Sequence, residues 1–214
     1  MLLDLDGTLV LSEGVHRRCW QHFFDHWGVT VDEREYRRGY MGRRPADVIR
    51  EVAGPWAGSD AQAAVRVMTG VALGLVAEVG IVPGAVDLVR LFGDLGVRTA
   101  VVTSAGRDWA ERVLADTLGI RELVDVVVSA GDVALGKPSP EGYLTACAAL
   151  GVRPVDCLAF EDSSSGVRAL VGAGVRNIVG VATTAPPGEL TARGARWTVP
   201  DLHPGRVAAV VSGN

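Results

Sequence analysis

The chain has 214 residues, of which 48% are hydrophobic and 21% are charged, and its formal net charge at pH 7 is −4. This length and composition are typical of a globular protein with one large domain, or one domain that carries an insertion. The acidic balance disfavours nucleic-acid binding as the main activity. The longest apolar runs are far shorter than the roughly 20 residues that span a bilayer. We therefore expect neither a nucleic-acid partner nor a membrane span.

The N-terminus lacks the basic start and the apolar stretch of a secretory signal, which predicts a cytoplasmic protein. The three cysteines, Cys19, Cys147 and Cys157, are odd in number, widely spaced and set among apolar neighbours. This pattern predicts reduced thiols in the core, not a disulfide framework or a zinc site. The sequence does not fix the oligomeric state, for which we expect a monomer or a weak dimer.

After a short opening strand, the sequence up to about Gly80 reads as helices. Apolar residues at helical spacing predict a first helix over Val15–Trp27, which stops at Gly28. Three further helices are predicted from the residues at their starts. Asp32 and Glu35 form a capping box for the second helix, and Pro45 suits the first turn of the third. Ser59 or Asp60 caps the fourth, which is predicted to run to about Val79. Residues 12–80 are therefore predicted to form a small helical domain inserted after the first strand.

From Ile81 onward, short apolar runs alternate with amphipathic segments. The predicted strands are Val97–Thr103, Leu123–Val128, Cys157–Phe160, Asn177–Val181 and an edge strand Trp197–Val199. The predicted helices are Gly84–Leu95, Asp108–Leu118, Pro140–Leu150, Gly166–Ala173 and Pro204–Val211. This alternation predicts the α/β class, with residues 1–11 and 81–214 forming a Rossmann-like, doubly wound parallel sheet. Ligands in such sheets bind beyond the carboxyl ends of the strands, where the strand order reverses.

Four polar clusters each follow an apolar strand: Asp4–Thr8, Thr103–Ser104, Gly136–Pro138 and Glu161–Asp162. The carboxyl ends of parallel strands meet at one edge of the sheet, so we expect these clusters to converge. Several carboxylates brought together need a cation, and an all-oxygen set is what Mg²⁺ prefers. The sequence therefore predicts a magnesium site.

Lys137 is the only lysine in a chain with twenty arginines, which indicates a specific requirement for an ammonium group at this position. A carboxylate such as Asp4 can attack phosphorus if the metal and a fixed cation offset the repulsion between two anions. Asp6 can protonate the leaving oxygen and later deprotonate the water that hydrolyses the intermediate. The hydroxyl of Thr103 or Ser104 can bind a phosphate oxygen, together with backbone N–H groups near Asp6.

The chain resembles the phosphatase branch of the haloacid dehalogenase superfamily in all four motifs of that superfamily. In chain order these are Asp-Leu-Asp-Gly-Thr-Leu; a strand that ends in Thr-Ser; Gly-Lys-Pro; and Glu-Asp-Ser-x-x-Gly. The resemblance implies that Asp4 is the nucleophile, Asp6 the acid and base, and Lys137 the phosphate anchor. It implies Mg²⁺ ligands from Asp4, the carbonyl of Asp6 and Asp162, with Glu161 bound directly or through water. Ser104 matches the phosphate-binding hydroxyl better than Thr103 if Thr103 is the last strand residue.

The helical insertion resembles the cap of beta-phosphoglucomutase and related sugar-phosphate phosphatases. The resemblance rests on Ser12-Glu13-x-x-His16-x-x-x-Trp20 and on the loop Gly42-Arg43. It implies substrate contacts from His16, Trp20, Gly42 and Arg43, with Thr103 and Ala105 contributed by the core. Two alternatives stay open: His16 and Trp20 pack on the first cap helix, and Arg43 and Arg44 are a solvated pair. Whether Trp56 or Trp109 reaches the active-site cleft is also open.

Taken together, these features predict a Mg²⁺-dependent phosphatase of a small phosphorylated metabolite, a sugar or polyol phosphate. The main alternative is a phosphomutase. On a gapless reading of the loop, Pro45 stands where the mutase carries its phosphate-gripping arginine, and the cap has no lysine, but Arg43 or Arg44 could substitute. The missing cap lysine also disfavours a Schiff-base phosphonate hydrolase, and Asp6 disfavours a metal-free dehalogenase. A non-catalytic binding module is a further alternative, disfavoured because every motif side chain is intact.

Overall fold

The structure of the protein is a computed structural model that describes residues 1–213. Its strands are β1 Leu2–Leu3, β2 Val10–Leu11, β3 Gly80–Ile81, β4 Ala100–Val102, β5 Val126–Val128, β6 Leu158–Glu161, β7 Asn177–Val181 and β8 Trp197–Val199. Its α-helices are α1 Glu13–Trp27, α2 Glu33–Gly39, α3 Pro45–Glu51, α4 Ala61–Gly74, α5 Ala85–Asp94, α6 Arg107–Arg112, α7 Glu141–Leu150, α8 Ser164–Gly172, α9 Pro187–Arg193 and α10 Pro204–Ser212.

Six strands form one sheet in the order β5-β4-β1-β6-β7-β8, and every neighbouring pair is parallel. Strand β1 lies inside the sheet, with Leu3 paired to Val101 of β4 on one side and to Phe160 of β6 on the other. The strand order runs in opposite directions on the two sides of β1. The switch point therefore lies where β1, β4 and β6 end. The prediction of a doubly wound parallel sheet is confirmed.

Alternate strand residues pack into two separate hydrophobic clusters, one on each face of the sheet. Leu3 and Phe160 contribute to the cluster covered by α5, α6 and α10. Leu2 and Ala159 contribute to the cluster covered by α7, α8 and α9. Because both faces are buried, the strands read as continuous apolar runs and not as alternating patterns.

Helices α1–α4, called the helical unit below, lie between β2 and β3. These two strands pair antiparallel, Val10 with Ile81 and Leu11 with Gly80, so the chain leaves and re-enters the core along a two-stranded ribbon. Two-residue strands are too short to give a sequence pattern, and the ribbon was not predicted. Inside the helical unit the aromatic rings pack on one another, with Trp56 5.2 Å from Phe23 between ring centroids. Trp56 is thus part of the packing of this unit.

Several predicted elements are shorter in the structure. The predicted strand Leu123–Val128 begins only at Val126, since Arg121–Leu123 forms a 3₁₀ turn. The fourth helix stops at Gly74 and is followed by a 3₁₀ turn at Val76–Glu78. The predicted helix Asp108–Leu118 ends as a π-helical turn over Val113–Thr117. Helix α9 was not predicted, because its opening Pro-Pro-Gly is typical of a turn, although proline also suits the first turn of a helix.

All three cysteines are free and buried, as predicted. Cys147 and Cys157 come together from α7 and the start of β6, with their sulfur atoms 3.9 Å apart, which is a contact distance and not a bond. Across residues 1–213, none of the helices combines the length and the apolarity needed to cross a membrane.

Candidate active site

The first motif forms a tight turn at the end of β1. Asp4 is 5% exposed, and its backbone N–H donates to the carbonyl of Phe160 at 3.1 Å. Gly7 has φ +90°, and a Cβ at this position would lie 2.0 Å from Oδ2 of Asp162. Both the backbone conformation and the close approach of Asp162 therefore require glycine. Thr8 fixes the same carboxylate by donating to its Oδ1 at 3.0 Å.

Lys137 is the cation at the centre of the site. Its Nζ lies 2.5 Å from Oδ1 of Asp4 and 2.7 Å from Oε1 of Glu161, and it donates to the carbonyl of Val102 at 3.2 Å. Burial raises the pKa of Asp4 to about 7, against the lowering effect of the Lys137 charge. Burial acts to lower the pKa of Lys137, but the charges of Asp4 and Glu161 outweigh it and raise the pKa well above its ordinary value. The ammonium is therefore charged.

A second pair of carboxylates lies at the end of β6. Glu161 is fully buried, and its Oε2 accepts hydrogen bonds from the backbone N–H and the hydroxyl of Ser163, at 2.7 and 2.9 Å. Asp4, Glu161 and Asp162 each offer an oxygen, and these atoms lie within 4.8 Å of one another. Burial and the two neighbouring carboxylates raise the pKa of Asp162 well above its ordinary value. Three buried carboxylates facing one lysine form an all-oxygen group that suits a hard divalent cation.

Asp6 points away from this group. Its Oδ1 accepts from the Ser12 hydroxyl at 2.6 Å and from the Trp109 indole N–H at 2.9 Å, and lies 2.9 Å from Nε2 of His16. Its Oδ2 accepts from the Thr103 hydroxyl at 3.2 Å. Burial alone would raise the pKa of the Asp6 carboxyl, but the charge of His16 and the hydrogen bonds to Oδ1 outweigh it and lower the pKa to about 2.

Strand β4 ends at Val102, so Thr103 is the first residue after the strand. The N–H of Thr103 still donates to the carbonyl of Val128 in β5 at 2.9 Å, and the preference for Ser104 as the phosphate-binding hydroxyl stays a prediction. Thr103 is buried, donates its hydroxyl to Asp6, and accepts the backbone N–H of Ala105 at 3.0 Å. Ser104 is half-buried and turns towards the cavity described next.

A cavity of about 580 Å³ lies between the strand ends and the helical unit. This volume falls within the range of small-molecule sites, roughly 300–1,000 Å³. Every site residue predicted from the sequence lines it except Glu161, which is enclosed and contacts Lys137. Trp109 also lines it, so of the two tryptophans whose position was open, Trp109 reaches the cleft. No motif marks Trp109. Its sole sequence signal is its place in the helix after β4.

The two site residues predicted on α1, His16 and Trp20, have different surroundings. Besides contacting Asp6, His16 meets the Trp109 ring edge to face, with 5.4 Å between centroids. Trp20 is stacked on Phe24 at 5.7 Å and lies edge to face with Tyr40 at 5.0 Å. For Trp20 the packing alternative therefore holds, although part of the ring lines the cavity. His16 is instead joined to the polar site.

The two arginines of the loop before α3 are not a solvated pair, contrary to that alternative. Arg43 pairs with Glu51 and donates to the carbonyl of Gly39. Arg44 reaches across to the core and donates to the carbonyls of Val133 and Ala134, at 3.3 and 3.2 Å, in the loop that leads to Lys137. Gly42, with φ +68°, brings the same loop close to the core as well. A Cβ at Gly42 would lie 3.9 Å from Cβ of Ser163.

Comparisons with known proteins agree with this geometry. The model of the haloacid dehalogenase-like hydrolase family matches residues 1–174. Validoxylamine A 7'-phosphate phosphatase of Streptomyces hygroscopicus subsp. limoneus is 39% identical over 184 residues, 86% of this chain and 85% of that protein. Hexitol phosphatase B of Escherichia coli (strain K12) is 30% identical over 182 residues, 83% of this chain and 81% of that protein. The crystal structure of CbbY from Rhodobacter sphaeroides in complex with phosphate superposes with a TM-score of 0.83 and 30% identity, covering 95% of this chain and 94% of that one.

The chain belongs to the haloacid dehalogenase-like hydrolases. The resemblance inferred from the four motifs is confirmed, as is the prediction of a phosphoric monoester hydrolase of this family, since the relatives named by activity are phosphatases. Those relatives act on small phosphorylated molecules according to their names.

Proposed function

We propose that this protein is a Mg²⁺-dependent phosphatase that hydrolyses the monophosphate of a sugar or polyol through an aspartyl phosphate on Asp4. The observation that carries the proposal is the position of Lys137, held 2.5 Å from Asp4 inside a buried group of carboxylates at the sheet's switch point. An ammonium group there neutralises the nucleophile and the incoming phosphate together. The names of the relatives, a validoxylamine A 7'-phosphate phosphatase and a hexitol phosphatase, support the substrate class.

The buried carboxylates fit Mg²⁺. Asp4 and Asp162, with the backbone carbonyl of Asp6, would hold the ion, and Glu161 would complete the set directly or through water. In the absence of a cation the raised pKa values of Asp4 and Asp162 mean that burial favours protons on these oxygens. A divalent ion takes the place of such protons. When bound, Mg²⁺ offsets the negative charge of the phosphate and orients it towards the nucleophile.

The residues of the chain supply the remaining steps. Oδ of Asp4 attacks phosphorus, the bond to the leaving oxygen breaks, and Asp6 passes to that oxygen a proton supplied by the adjacent His16 ring, since Asp6 itself is ionised in the free protein. Asp6 then takes a proton from a water molecule, which attacks the aspartyl phosphate and releases inorganic phosphate and free Asp4. Ser104, which lines the cavity, is the hydroxyl proposed to bind a phosphate oxygen, because the single proton of the Thr103 hydroxyl is donated to Asp6. The helical unit, residues 12–80, is proposed to act as a cap that excludes water during transfer.

Hydrolysis is favoured over phosphoryl transfer to a second site of the substrate. A mutase must grip a second phosphate, which requires uncommitted cations on the far side of the cavity. Among the described residues that line the cavity, each arginine already has partners in the protein: Arg43 with Glu51, Arg44 with two core carbonyls, and Arg107 with Asp132. Pro45 also lines it where the mutase carries arginine. These contacts support a substrate with a single phosphate.

The test is phosphate release from p-nitrophenyl phosphate with Mg²⁺ and with the metal chelated. We expect turnover to require Mg²⁺ and to fall by roughly four orders of magnitude or more in Asp4→Asn, the scale of losing a covalent nucleophile. Metal-independent turnover, or an active Asp4→Asn variant, would contradict the proposal. Hexose 1-phosphates then separate the two reactions: free phosphate supports the phosphatase, and accumulation of hexose 6-phosphate supports the mutase.

A further inference from the structure

The carboxylate of Asp6 is held unequally at its two oxygens. Three groups converge on Oδ1, namely the Ser12 hydroxyl, the His16 ring and the Trp109 indole, at 2.6, 2.9 and 2.9 Å. Oδ2 has a single partner, the Thr103 hydroxyl at 3.2 Å. With three partners already around Oδ1, Oδ2 is the oxygen with room for a further hydrogen bond. Oδ2 faces the end of β4, and it is therefore the oxygen of this carboxylate that can meet a substrate.

Trp109 differs from the other partners of Oδ1 in its chemistry. An indole N–H donates and never accepts, and it does not titrate. The Ser12 hydroxyl rotates between donor and acceptor roles, and the role of the His16 nitrogen depends on its tautomer. Trp109 alone thus gives Oδ1 a donor that stays the same through a cycle in which Asp6 loses and regains a proton.

The fold keeps the Trp109 side chain in place. It is 2% exposed and belongs to the hydrophobic cluster beneath α6, on the core side of the cavity. Ser12 and His16 instead lie at the start of the helical unit, so their contacts with Asp6 depend on the position of that unit. The indole N–H is thus a donor to Oδ1 carried by the core helix α6, and its ring also meets His16 of the helical unit edge to face.

We infer that Trp109 is a positioning residue: its indole N–H anchors Oδ1 of Asp6 and thereby presents Oδ2 to the leaving oxygen of the substrate. This inference rests on the proposed role of Asp6 as acid and base. Removing the N–H lets the carboxylate rotate, so fewer molecules have Oδ2 in the productive direction. The rate should fall most for a substrate whose leaving group is an alkoxide, because an alkoxide leaves poorly unless it is protonated. A nitrophenolate leaves without a proton, so its departure does not depend on Asp6.

The experiment compares Trp109→Phe with the wild type on two substrates, a hexitol phosphate and p-nitrophenyl phosphate. The quantity compared is kcat/KM, which reports the steps up to departure of the leaving group and excludes the hydrolysis of the aspartyl phosphate that both substrates share. We expect kcat/KM for the hexitol phosphate to fall about 10- to 100-fold, part of the 10²–10⁴ that a general acid contributes, and kcat/KM for the aryl phosphate to fall no more than about threefold. Trp197→Phe, the same substitution on β8 outside the cavity, should leave the ratio of the two rates unchanged.

Equal losses on both substrates, or no loss on either, would overturn the inference, since a merely structural role lowers both rates alike. Asp6→Asn separates this failure from failure of the proposed function: if Asp6→Asn turns over hexitol phosphate normally, the acid role itself is wrong. If Trp109→Phe does not fold, benzothienylalanine incorporated at position 109 keeps the bicyclic ring without the N–H. The same selective loss is expected, and a wild-type ratio of rates would contradict the inference.

Discussion

The two walls of the cavity are built in different ways. On the core wall, Asp4, Thr103 and Asp162 follow directly from strand ends, and the backbone of a buried sheet sets their positions. On the wall formed by the helical unit, the two arginines are long, half-buried and already paired, Arg43 with Glu51 and Arg44 with two carbonyls of the core. The core wall has the features of a preformed site for chemistry, whereas the opposite wall has contacts that can change with the position of the helical unit.

This comparison predicts large effects on kcat from the core wall and modest effects, mainly on KM, from the helical unit. The largest effect on kcat is expected from substitutions of Lys137. Lys137→Ala and Lys137→Arg should both lower kcat by about 10³-fold, because a planar guanidinium cannot replace a compact ammonium between Asp4 and Glu161. Steady-state kinetics with p-nitrophenyl phosphate measures this effect, with Arg176→Ala at an exposed site as the control. A Lys137→Arg enzyme with normal turnover would argue against direct anchoring.

Gly7 is expected to give the next largest effect. Alanine there meets both a left-handed backbone and the Asp162 carboxylate, at 2.0 Å from the added Cβ. We expect Gly7→Ala to lower kcat at least about 100-fold and to cost about 1–3 kcal/mol of folding free energy. The matched control is Gly14→Ala in α1, where an added Cβ has no neighbour within 4 Å. Normal activity in Gly7→Ala would mean that the Asp162 side chain is free to move.

A substitution of Arg44 tests the wall of the cavity that the helical unit forms. Arg44→Gln removes charged donors to the carbonyls of Val133 and Ala134, which join the helical unit to the Lys137 loop. For a half-buried contact of this kind, we expect kcat/KM to fall about five- to tenfold, mostly through KM. Arg50→Gln, which removes an exposed pair with Asp47, is the control and should change little. A 100-fold fall in kcat for Arg44→Gln would break the distinction between the two walls.

The smallest expected effect concerns stability at Asp132, in the turn after β5. Burial tends to raise the pKa of Asp132, but hydrogen bonds from Ser129 and the charge of Arg107 lower it below its ordinary value of 3.8. A lowered pKa in the folded state means that the carboxylate stabilises the fold above about pH 4, and that this contribution is lost as the pH falls through the folded-state value.

Asp132→Asn should therefore lower the free energy of unfolding at neutral pH by about 0.5–1 kcal/mol, and the difference from the wild type should shrink towards about pH 3. Denaturant unfolding at several pH values measures the difference. Asp116→Asn, on an exposed pair with Arg112, serves as the control. A difference that grows on acidification would show that the carboxylate is not stabilising in the folded state.

Prediction from the sequence worked best where one local pattern carried the information. Apolar runs followed by Asp4, Thr103 and Glu161 indicated the parallel sheet and its polar edge together, because strand ends in such a sheet meet at one place. It worked less well at the boundaries of elements. The start of β5 at Val126, not at the predicted Leu123, depends on hydrogen bonds to β4, and apolar composition carries no sign of where those bonds begin.

The sequence by itself determined the family, the sheet and the set of groups from which the proposed chemistry is built, since these depend on residue types at short spacing. Only the tertiary structure decided that Thr103 meets Asp6, that Arg44 reaches the loop of Lys137, and that Trp109 donates to Asp6. Each of these contacts joins elements far apart in the chain. Their geometry is set by how helices pack on the sheet, and neither periodicity nor motif spacing records that packing.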